Sequence, residues 1–479
     1  MPSLTDLPEL IALHDLVRRK HIGIYLVGGF LRDLLIGRSG RDFDFAVSKG
    51  AIPLARAFAK KVHGAFVLLD SESGCARVAK KKNGVLWTFD FADLRAATFR
   101  ADLGKRDFTI NTLAVDFRSL KVDEDFTSKL LPNIKARADL QAKTVRMASK
   151  AAFKDDPLRL LRAYSLASQL GFRIDAITKR AVKTEAKLIQ EVSPERVREE
   201  LIKVFDSPRA AVNLVAMYRA GLLFAAVPQF RVMEKVEQGG YHHLDVLEHS
   251  FEVVRQLEGL LLELRDSEEL GAYLDEEIAG GHSRRAILKF ACLLHDIGKP
   301  DTKIKEPGGR TSFHGHEHIG RRITRSIANQ LMLYSKERYA LEDIVTLHLR
   351  PGYLSNFKKP SDRMIFRFFR DAGEEAVAIL LLSIADQRST RGPLTTEYDV
   401  RHHEGIAFPL IDEYFRKKKE KPFVRLINGH DLIKDLKLKP GPLFARILLK
   451  VEEAQHLGKV TTKDEALDLV RKSIGGKRT

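Results

Sequence analysis

A glycine pair between a short apolar segment and a helical one is the feature that most restricts what this sequence can fold into. Tyr25–Val27 is apolar and predicts a buried strand, and Phe30–Ile36 has a helical pattern. Gly28 and Gly29, between them, let backbone N–H groups approach a phosphate closely, and the helix N-terminus adds a partial positive charge. Arg32, in the first turn, can reach the same anion. The segment predicts a phosphate-binding strand–turn–helix.

Two carboxylates follow on the next predicted strand. Asp42–Val47 alternates polar and apolar residues with period two, so Asp42 and Asp44 share one face. Adjacent carboxylates repel each other unless a cation lies between them, and beside a phosphate-binding turn the simplest cation is Mg²⁺ held for phosphoryl or nucleotidyl transfer. A glycine pair alone is usually a turn, and Asp-x-Asp alone is usually a solvated strand edge. Their close spacing favours the catalytic interpretation.

The composition indicates a multidomain protein with excess positive charge. The chain has 479 residues, with 81 Lys+Arg against 64 Asp+Glu and a formal net charge of +17, which suits a polyanionic partner such as nucleic acid. Cys75 and Cys292 form no disulfide framework and indicate a reducing compartment. We see no signal peptide in Met1–Lys20, and the longest apolar run, Ala376–Ala385, is too short to cross a bilayer. We therefore expect a cytoplasmic protein without membrane contact.

The spacing Gly-Gly-x-x-Arg-Asp followed by Asp-x-Asp resembles the head domain of the class II tRNA nucleotidyltransferases and bacterial poly(A) polymerases. The resemblance continues downstream in family order. It implies a multidomain fold: an α/β nucleotidyltransferase head with a mixed sheet (1–125), an all-α neck (126–235), an all-α HD domain (236–400) and a basic helical tail (401–479).

The resemblance also implies how the head works. Asp42 and Asp44 would hold two Mg²⁺, one to activate an RNA 3′-hydroxyl and one to bind a nucleoside triphosphate with Gly29 and Arg32. Asp90, on a predicted neighbouring strand, is the candidate for a third catalytic carboxylate. The alternative for Asp90 is a strand-end residue on the solvent face.

A second head segment, Lys105–Ala114, resembles the family's Arg-Arg-Asp-Phe-Thr-Ile-Asn sequence, with Lys105 replacing the first arginine. Lysine keeps the charge but loses the planar geometry. The resemblance places Arg106 and Asp107 near the incoming nucleotide. Without it, these two residues would be interpreted as a surface ion pair.

The neck contains a candidate base-reading motif. Asp156-Pro157 predicts a helix start, with Asp156 as N-cap and Pro157 at the first helical position. Asp156, Arg159 and Arg162 then line one side of the helix. The motif resembles the family's sequence that pairs with an incoming base, and cytosine and adenine both offer an amine beside an acceptor. The alternative is that Asp156 only caps and the arginines are only solvated.

Two neck positions depart from the family pattern: Asp155 replaces a glutamate, and Ser165 replaces an arginine that often follows Arg162. A later helix opening, from Ser193, is interpreted as structural. Its Arg196 and Arg198 are expected to pair with neighbouring glutamates.

Histidines gather after residue 236, and isolated histidines on helices are mostly packed or surface residues. His295-Asp296, however, follows an apolar run, and burying charge is costly unless it is paired or binds a metal. The set resembles an HD phosphohydrolase domain, which implies a transition metal such as Mn, Fe, Ni or Zn that activates water against a phosphoester. The matching ligands are His249, His295, Asp296 and Asp386 for one metal, with His316 and His348 for a second.

The tail carries a basic stretch, Arg416–Lys421, and resembles the C-terminal segment of HD-containing tRNA nucleotidyltransferases. The whole resemblance implies CCA addition to the tRNA acceptor end from CTP and ATP. CC-only or A-only addition and poly(A) synthesis remain open, as does an HD phosphohydrolase whose head only binds RNA. The sequence does not indicate an oligomeric state.

Overall fold

A computed structural model describes residues 7–121, 125–240, 243–392, 394–420 and 423–475. The chain folds into two compact units, residues 1–228 and 229–479. Residues 1–6 of the leading segment and Lys421 of the predicted basic stretch lie outside the described residues. Within the described ranges, every helix is too short or too polar to cross a membrane.

The N-terminal unit contains a six-stranded mixed sheet. Its strand order is β3-β4-β5-β2-β1-β6, with β2 and β5 parallel and the other neighbours antiparallel. The strands are β1 (Ile24–Val27), β2 (Asp42–Val47), β3 (Ala65–Asp70), β4 (Cys75–Lys82), β5 (Val85–Asp93) and β6 (Ala114–Asp116).

Helices cover one face of this sheet. Alternate residues of the central strands are buried, among them Phe43 and Phe89 at 1% exposure. The rings of Phe43 and Phe89 stack, and Phe89 packs against Phe58, which is fully buried. The period-two alternation of β2 therefore sets its phenylalanines into the core and its two aspartates on the opposite face. The helices before residue 105 are α1 (Pro8–Lys20), α2 (Gly29–Leu35), α3 (Ala51–Val62) and α4 (Phe99–Gly104).

The rest of the unit is helical, apart from the two-residue parallel strands β7 (Thr144–Val145) and β8 (Arg173–Ile174). The helices are α5 (Ile134–Gln141), α6 (Ala152–Asp155), α7 (Arg159–Leu170), α8 (Ala176–Glu185), α9 (Pro194–Asp206), α10 (Ala210–Arg219) and α11 (Leu222–Ala226).

The C-terminal unit is helical, with two small two-stranded sheets, β9 (Glu277–Ala279) with β10 (His282–Ser283) and β11 (Ile304–Lys305) with β12 (Thr311–Ser312). Helix α20 is buried along almost its whole length, as its apolar sequence predicts. The helices are α12 (Val246–Glu263), α13 (Glu268–Asp275), α14 (Arg284–Leu294), α15 (Lys299–Thr302), α16 (His316–Gln330), α17 (Ser335–Leu347), α18 (Arg350–Ser355), α19 (Asp362–Ala372), α20 (Ala376–Ser389), α21 (Glu397–Lys419), α22 (Gly429–Lys434), α23 (Pro442–His456) and α24 (Lys463–Gly475).

The predicted fold class, a mixed-sheet α/β head followed by helical regions, is confirmed. The predicted domain boundaries within that order stay predictions.

Candidate active site

The glycine pair forms the turn between β1 and α2. Gly28 has φ +85°, a conformation that side chains other than glycine's rarely adopt, and a Cβ there would lie 2.8 Å from Oδ2 of Asp44. Helix α2 begins at Gly29, directly after this turn. The turn therefore brings backbone next to the carboxylate of Asp44 with no room for a side chain between them.

Asp42, Asp44 and Asp90 lie on adjacent strands of the sheet. In the parallel β2–β5 pair, Asp44 is the register partner of Asp90, and Asp42 is the partner of Thr88. The Thr88 hydroxyl donates a hydrogen bond to Asp42. Asp90 is not a free strand-end residue, since Nε and Nη2 of Arg77 donate to its two oxygens at 2.7 Å each.

Asp44 is the unpaired carboxylate of the group. Its side chain makes no hydrogen bond or ion pair with the residues that the structure describes. Burial and the neighbouring carboxylate of Asp90 raise the pKa of Asp44 to about 6. A partly buried carboxylate beside a second one is stabilised by a bound cation, and oxygen ligands suit Mg²⁺. The residues present fit a divalent ion.

A cleft of about 420 Å³ opens beside Asp44. Its lining is strongly polar, as expected of a site for a charged ligand. Among its lining residues, Arg32 donates to Asp33 at 2.9 Å and to Asn111 at 2.7 Å. The lining residues are Gly28, Gly29, Arg32, Asp44, Arg95, Arg106, Asp107, Asn111, Asp156, Arg159, Arg162, Ser165, Leu166, Gln169, Glu200 and Lys203.

Arg106 and Asp107 both line the cleft, but they do not pair with each other as the resemblance-free interpretation expected. Arg106 lies 3.7 Å from Asp102, and burial lowers the pKa of its guanidinium. Asp107 lies 3.1 Å from Nε of Arg162. It also accepts hydrogen bonds from the Asn111 amide at 3.1 and 3.2 Å. The segment is thus tied to the neck helix α7.

The base-reading candidates of the neck have different partners. Asp156 accepts from Nη2 of Arg196 at 3.2 and 3.0 Å, one bond to each oxygen. Arg159 instead donates to backbone carbonyls, those of Lys105 at 2.9 Å and Ala152 at 3.2 Å. Arg159 therefore holds the head segment against α7, while Asp156 presents a carboxylate that Arg196 orients.

The start of α7 and the pairing of Arg196 correct two expectations. Helix α7 begins at Arg159 and not at Pro157, because a tight turn closed by the bond from Leu160 N to the Pro157 carbonyl precedes it. Asp156 accepts from the backbone N–H of Leu158 at 3.2 Å, so it caps that turn. Arg196 pairs with Asp156, and only Arg198 pairs with a neighbouring glutamate.

Ser165, where an arginine was expected, donates its hydroxyl proton to Glu200 on α9. Lys203 lies 2.9 Å from the other oxygen of Glu200. Both oxygens of this buried carboxylate are therefore bonded without an arginine at position 165, and Lys203 supplies the cation.

The predicted histidine–aspartate set also converges, within the C-terminal unit. Nε2 of His249 lies 2.9 Å from Asp386, and Nε2 of His295 lies 3.0 Å from Asp296. Nε2 of His316 lies 3.3 Å from Asp296. Two groups of three, within each of which the ligand atoms lie less than 4.8 Å apart, are His249 with His295 and Asp386, and Asp296 with His316 and His348.

The imidazoles are oriented as metal ligands. The Nδ1 atoms of His295, His316 and His348 each lie 2.7–2.8 Å from the backbone carbonyl three residues earlier. These contacts fix Nδ1 as the donor and leave Nε2 facing the cluster, the arrangement common in metal sites. Burial lowers the pKa of His348 to about 3, and the nearby imidazoles of His295 and His316 add to this. Neutral imidazoles and carboxylates together fit a divalent transition metal.

Close backbone packing assembles the two halves of this cluster. A Cβ at Gly298 would lie 2.1 Å from the carbonyl of His316, so only glycine fits where the segment after His295-Asp296 meets α16. Lys299 lies 2.6 Å from Asp296. The cluster borders a cavity of about 330 Å³ lined by Asp296, Lys299, His316, His348, Leu349, Asp386, Gln387, Thr390, Leu394, Thr395 and Asp399.

Comparisons with known proteins agree with this arrangement. Residues 24–146 match the model of the poly(A) polymerase head domain, 171–233 that of the RNA- and SrmB-binding site of polymerase A, 246–390 the HD domain, and 420–470 a tRNA nucleotidyltransferase domain 2. The A-adding tRNA nucleotidyltransferase of Deinococcus radiodurans is 32% identical over 94% of this chain and 95% of its own. This chain belongs to the tRNA nucleotidyltransferase family.

Other members of the family extend the comparison. The CC-adding tRNA nucleotidyltransferase of Geobacter sulfurreducens is 30% identical over 96% of this chain and 94% of its own. Among solved structures, a CCA-adding enzyme with ATP has a TM-score of 0.63 at 19% identity, covering 98% of this chain and 94% of that one. The Thermotoga maritima CCA-adding enzyme with tRNA has a TM-score of 0.59 at 20% identity, over 97% and 94% of the two chains. At these identities the solved structures show a shared fold.

In this tRNA nucleotidyltransferase, all the nucleotide-binding candidates predicted from the sequence line one cleft together with Asp44. Asp42 and Asp90 lie on the adjoining sheet face but do not line the cleft. Sequence reasoning missed Arg77, Arg196 and Lys299. A cation directly opposite Asp90 in a hairpin register was a usable signal for Arg77, whereas the other two depend on tertiary packing.

Proposed function

We propose that this chain adds CCA to the 3′ ends of tRNA from CTP and ATP, in the cytoplasm. The observation that carries the proposal is the position of Asp44. Its carboxylate is unpaired, shares a strand face with Asp42, and opens into a cleft lined by the phosphate-binding turn and by the base-reading candidates. The two cysteines, both free thiols, are compatible with a reducing compartment.

Each group of residues has its own part in the proposed reaction. Mg²⁺ held by Asp42 and Asp44 would polarise the 3′-hydroxyl of the RNA and neutralise charge on the triphosphate. The N–H of Gly29, at the start of α2, and the Arg32 guanidinium bind phosphates. The N–H of Gly28 donates to the Leu113 carbonyl, so Gly28 contributes only the close approach of the backbone. Asp156, oriented by Arg196, accepts a hydrogen bond from the exocyclic amine of cytosine or adenine, which favours these two bases over uracil.

The histidine cluster supports a second activity, hydrolysis of phosphate or cyclic phosphate at RNA 3′ ends. A transition metal bound there would supply a water of lowered pKa. Backbone carbonyls hold the imidazoles of His295, His316 and His348 in the ligating tautomer, and Lys299 places a positive charge at the border of the cavity. This activity needs none of the head residues.

The test uses tRNA transcripts that end at the discriminator base, at C or at CC, incubated with CTP, ATP or both, followed by sequencing of the products. We expect completion of CCA on all three. Asp44→Asn should abolish addition and leave the phosphohydrolase activity intact, and His295→Ala should do the reverse. Unchanged addition by Asp44→Asn would overturn the head assignment.

Partial addition is the second candidate. It is favoured by the names of the relatives that match over nearly the whole chain, which are A-adding or CC-adding enzymes. Addition that stops after CC, or that occurs only on the transcript ending in CC, would replace the CCA assignment with one of these. Long A-tails would indicate a poly(A) polymerase.

A further inference from the structure

The strands β3, β4 and β5 have one open face, which is the face that carries the carboxylates. We propose that this face binds the single-stranded 3′-terminal nucleotides of the RNA, an inference that rests on the proposed function. We define the open face by four of its residues, Val67, Arg77, Lys81 and Leu86.

Strand register connects the open face directly to the catalytic candidates. Asp44 pairs with Asp90, Asp90 with Arg77, and Arg77 with Val67, so the four side chains form one row across four strands. At about 4.8 Å per strand, Val67 lies roughly 15 Å from Asp44. That distance is within reach of the last few nucleotides of an RNA chain whose 3′-hydroxyl is at Asp44.

The two faces differ in exposure along β4 and most of β5, whereas β3 has exposed side chains on both faces. On the covered face, Ala76 and Val78 are fully buried, and Lys80 pairs with Glu9 of α1 at 3.0 Å. On the open face, Val67 is 44% exposed and Leu86 is 57% exposed. Val67 lies in the row that ends at Asp44, and Leu86 lies on the same face four residues before Asp90, so this face exposes apolar side chains near the catalytic candidates.

The direction of the reaction points to the same face. The triphosphate cleft lies on the β1 side of Asp44, since the turn after β1 lines it. In nucleotidyl transfer the attacking oxygen and the leaving group are roughly in line on opposite sides of the phosphorus. The RNA end therefore approaches Asp44 from the other side, where β5, β4 and β3 follow in order.

The chemistry of the open face suits a single strand. Val67 and Leu86 offer apolar surface to bases and riboses, and Lys81 offers positive charge to phosphates. The charge of Arg77 is already paired with Asp90. Lys81 is exposed and is the register partner of Leu86, so one cation and one aliphatic group lie side by side.

Val67 and its neighbour Leu68 provide a matched test. Leu68 is 50% exposed but pairs with Ala76, so it lies on the other face of the same strand. In the full-length enzyme, we expect Val67→Glu to raise the KM for a tRNA transcript ending in C about fivefold through repulsion of phosphates, with the KM for CTP unchanged. Leu68→Glu should leave both within about twofold.

A second pair of variants keeps the inference testable if Val67→Glu lowers stability. Lys81→Ala should reduce the slope of log Kd for the tRNA transcript against log salt by about 0.7, the value for one phosphate of a single strand. Lys82→Ala, on the covered face, should not. Equal effects within both pairs would overturn the inference while the unaltered enzyme still adds nucleotides. If the unaltered enzyme adds none, the proposed function fails first, and the inference fails with it.

Discussion

The guanidinium of Arg77 donates hydrogen bonds from Nε and Nη2 to the two oxygens of Asp90, at 2.7 Å each. The pair lies directly beside Asp44 in the sheet, so it sets the position of the carboxylate nearest to the unpaired one. A planar guanidinium fixes a carboxylate through two parallel bonds, which a lysine cannot reproduce. If Asp90 is the third catalytic carboxylate, we expect Arg77 to act on catalysis through the geometry of Asp90.

Arg77→Lys should lower kcat for nucleotide addition about tenfold, because the charge remains but the two-bond geometry is lost. The KM for CTP should change little, since Arg77 does not line the nucleotide cleft. Steady-state kinetics on a tRNA transcript measure both. Arg56→Lys is the control, because Arg56 lies over the Phe66 ring. An equal fall in both variants would refute the positioning role.

Arg196 should govern base choice through Asp156. In the unaltered protein, Arg196 donates one hydrogen bond to each oxygen of Asp156. Arg196→Ala removes both bonds, so we expect discrimination of CTP over UTP to fall about tenfold. Competition assays with both nucleotides give the ratio of the two kcat/KM values. Arg196→Lys keeps the charge and should retain part of the discrimination. If both variants select CTP as well as the unaltered enzyme, Asp156 does not depend on Arg196.

At neutral pH and without metal, the head with Asp44 should be less stable than the head of the Asp44→Asn variant. The raised folded-state pKa of Asp44, about 6 against 3.8, means that the folded state bears an extra cost that grows as pH rises from 3.8 to 6. Asp44→Asn should therefore stabilise the metal-free protein, with a gain larger by about 1 to 2 kcal/mol at pH 7.5 than at pH 4.5. Denaturant titrations in EDTA can follow the single tryptophan, Trp87 on β5.

Two controls accompany this measurement. Mg²⁺ should reduce the difference at pH 7.5, because it binds the folded unaltered protein and not the variant. Asp42→Asn removes a more exposed carboxylate of the same strand and should give a smaller gain. A gain for Asp44→Asn that does not depend on pH would contradict the proposed cause.

The local parts of the site were predictable from the sequence. Period-two alternation around Asp42 and Asp44, and the glycine turn before them, depend on neighbours within a few residues, and both are present as expected. His295-Asp296 interrupts an apolar run and so carries its own signal of buried polar chemistry. The other four HD candidates came from the family resemblance, and the structure brings all six together.

The rest depends on contacts that no local pattern encodes. Arg196 donates to Asp156 across 40 positions, and Arg159 donates to the carbonyl of Lys105 across 54 positions. Spacing predicts that Asp156, Arg159 and Arg162 share one side of a helix. Helix α7 begins only at Arg159, however, and spacing does not show which of the three faces a ligand. Those partners follow from how α7 packs against α9 and the segment after Lys105.

The histidine cluster should bind a transition metal. A comparison of His316 with His318 tests which histidines are its ligands. His316 is buried and faces Asp296 at 3.3 Å, whereas the side chain of His318 is 74% exposed. His316→Ala should lower the affinity for Mn²⁺ or Ni²⁺ at least tenfold, by analogy with the loss of other metal-site contacts. Metal content after dialysis, measured by mass spectrometry, reports the difference. His318→Ala should bind like the unaltered protein, and CCA addition should continue in both; equal metal loss would refute the ligand assignment.

Glu342 should be a stabilising residue of the C-terminal unit. Its buried carboxylate accepts hydrogen bonds from Arg325 at 2.8 and 2.7 Å, from Arg321 at 3.1 Å and from Arg338 at 3.1 Å. The bond from Arg325, foremost among these contacts, lowers the pKa of Glu342 to about 2 from 4.5. Its contribution is therefore complete above pH 4.5 and is lost as pH falls towards 2.

Glu342→Gln should lower the free energy of unfolding of the C-terminal unit by about 1 to 3 kcal/mol at pH 7, a range that allows for the partial exposure of the arginines. The difference from the unaltered protein should shrink between pH 4.5 and 3, because the native carboxylate loses its advantage there. Hydrogen exchange of α16 and α17, which carry the four side chains, measures the local effect. Asp343→Asn is the matched control, since Asp343 is half-exposed and lies 3.9 Å from Arg321. If it destabilises these helices as much as Glu342→Gln, the arginine cluster around Glu342 is not the cause.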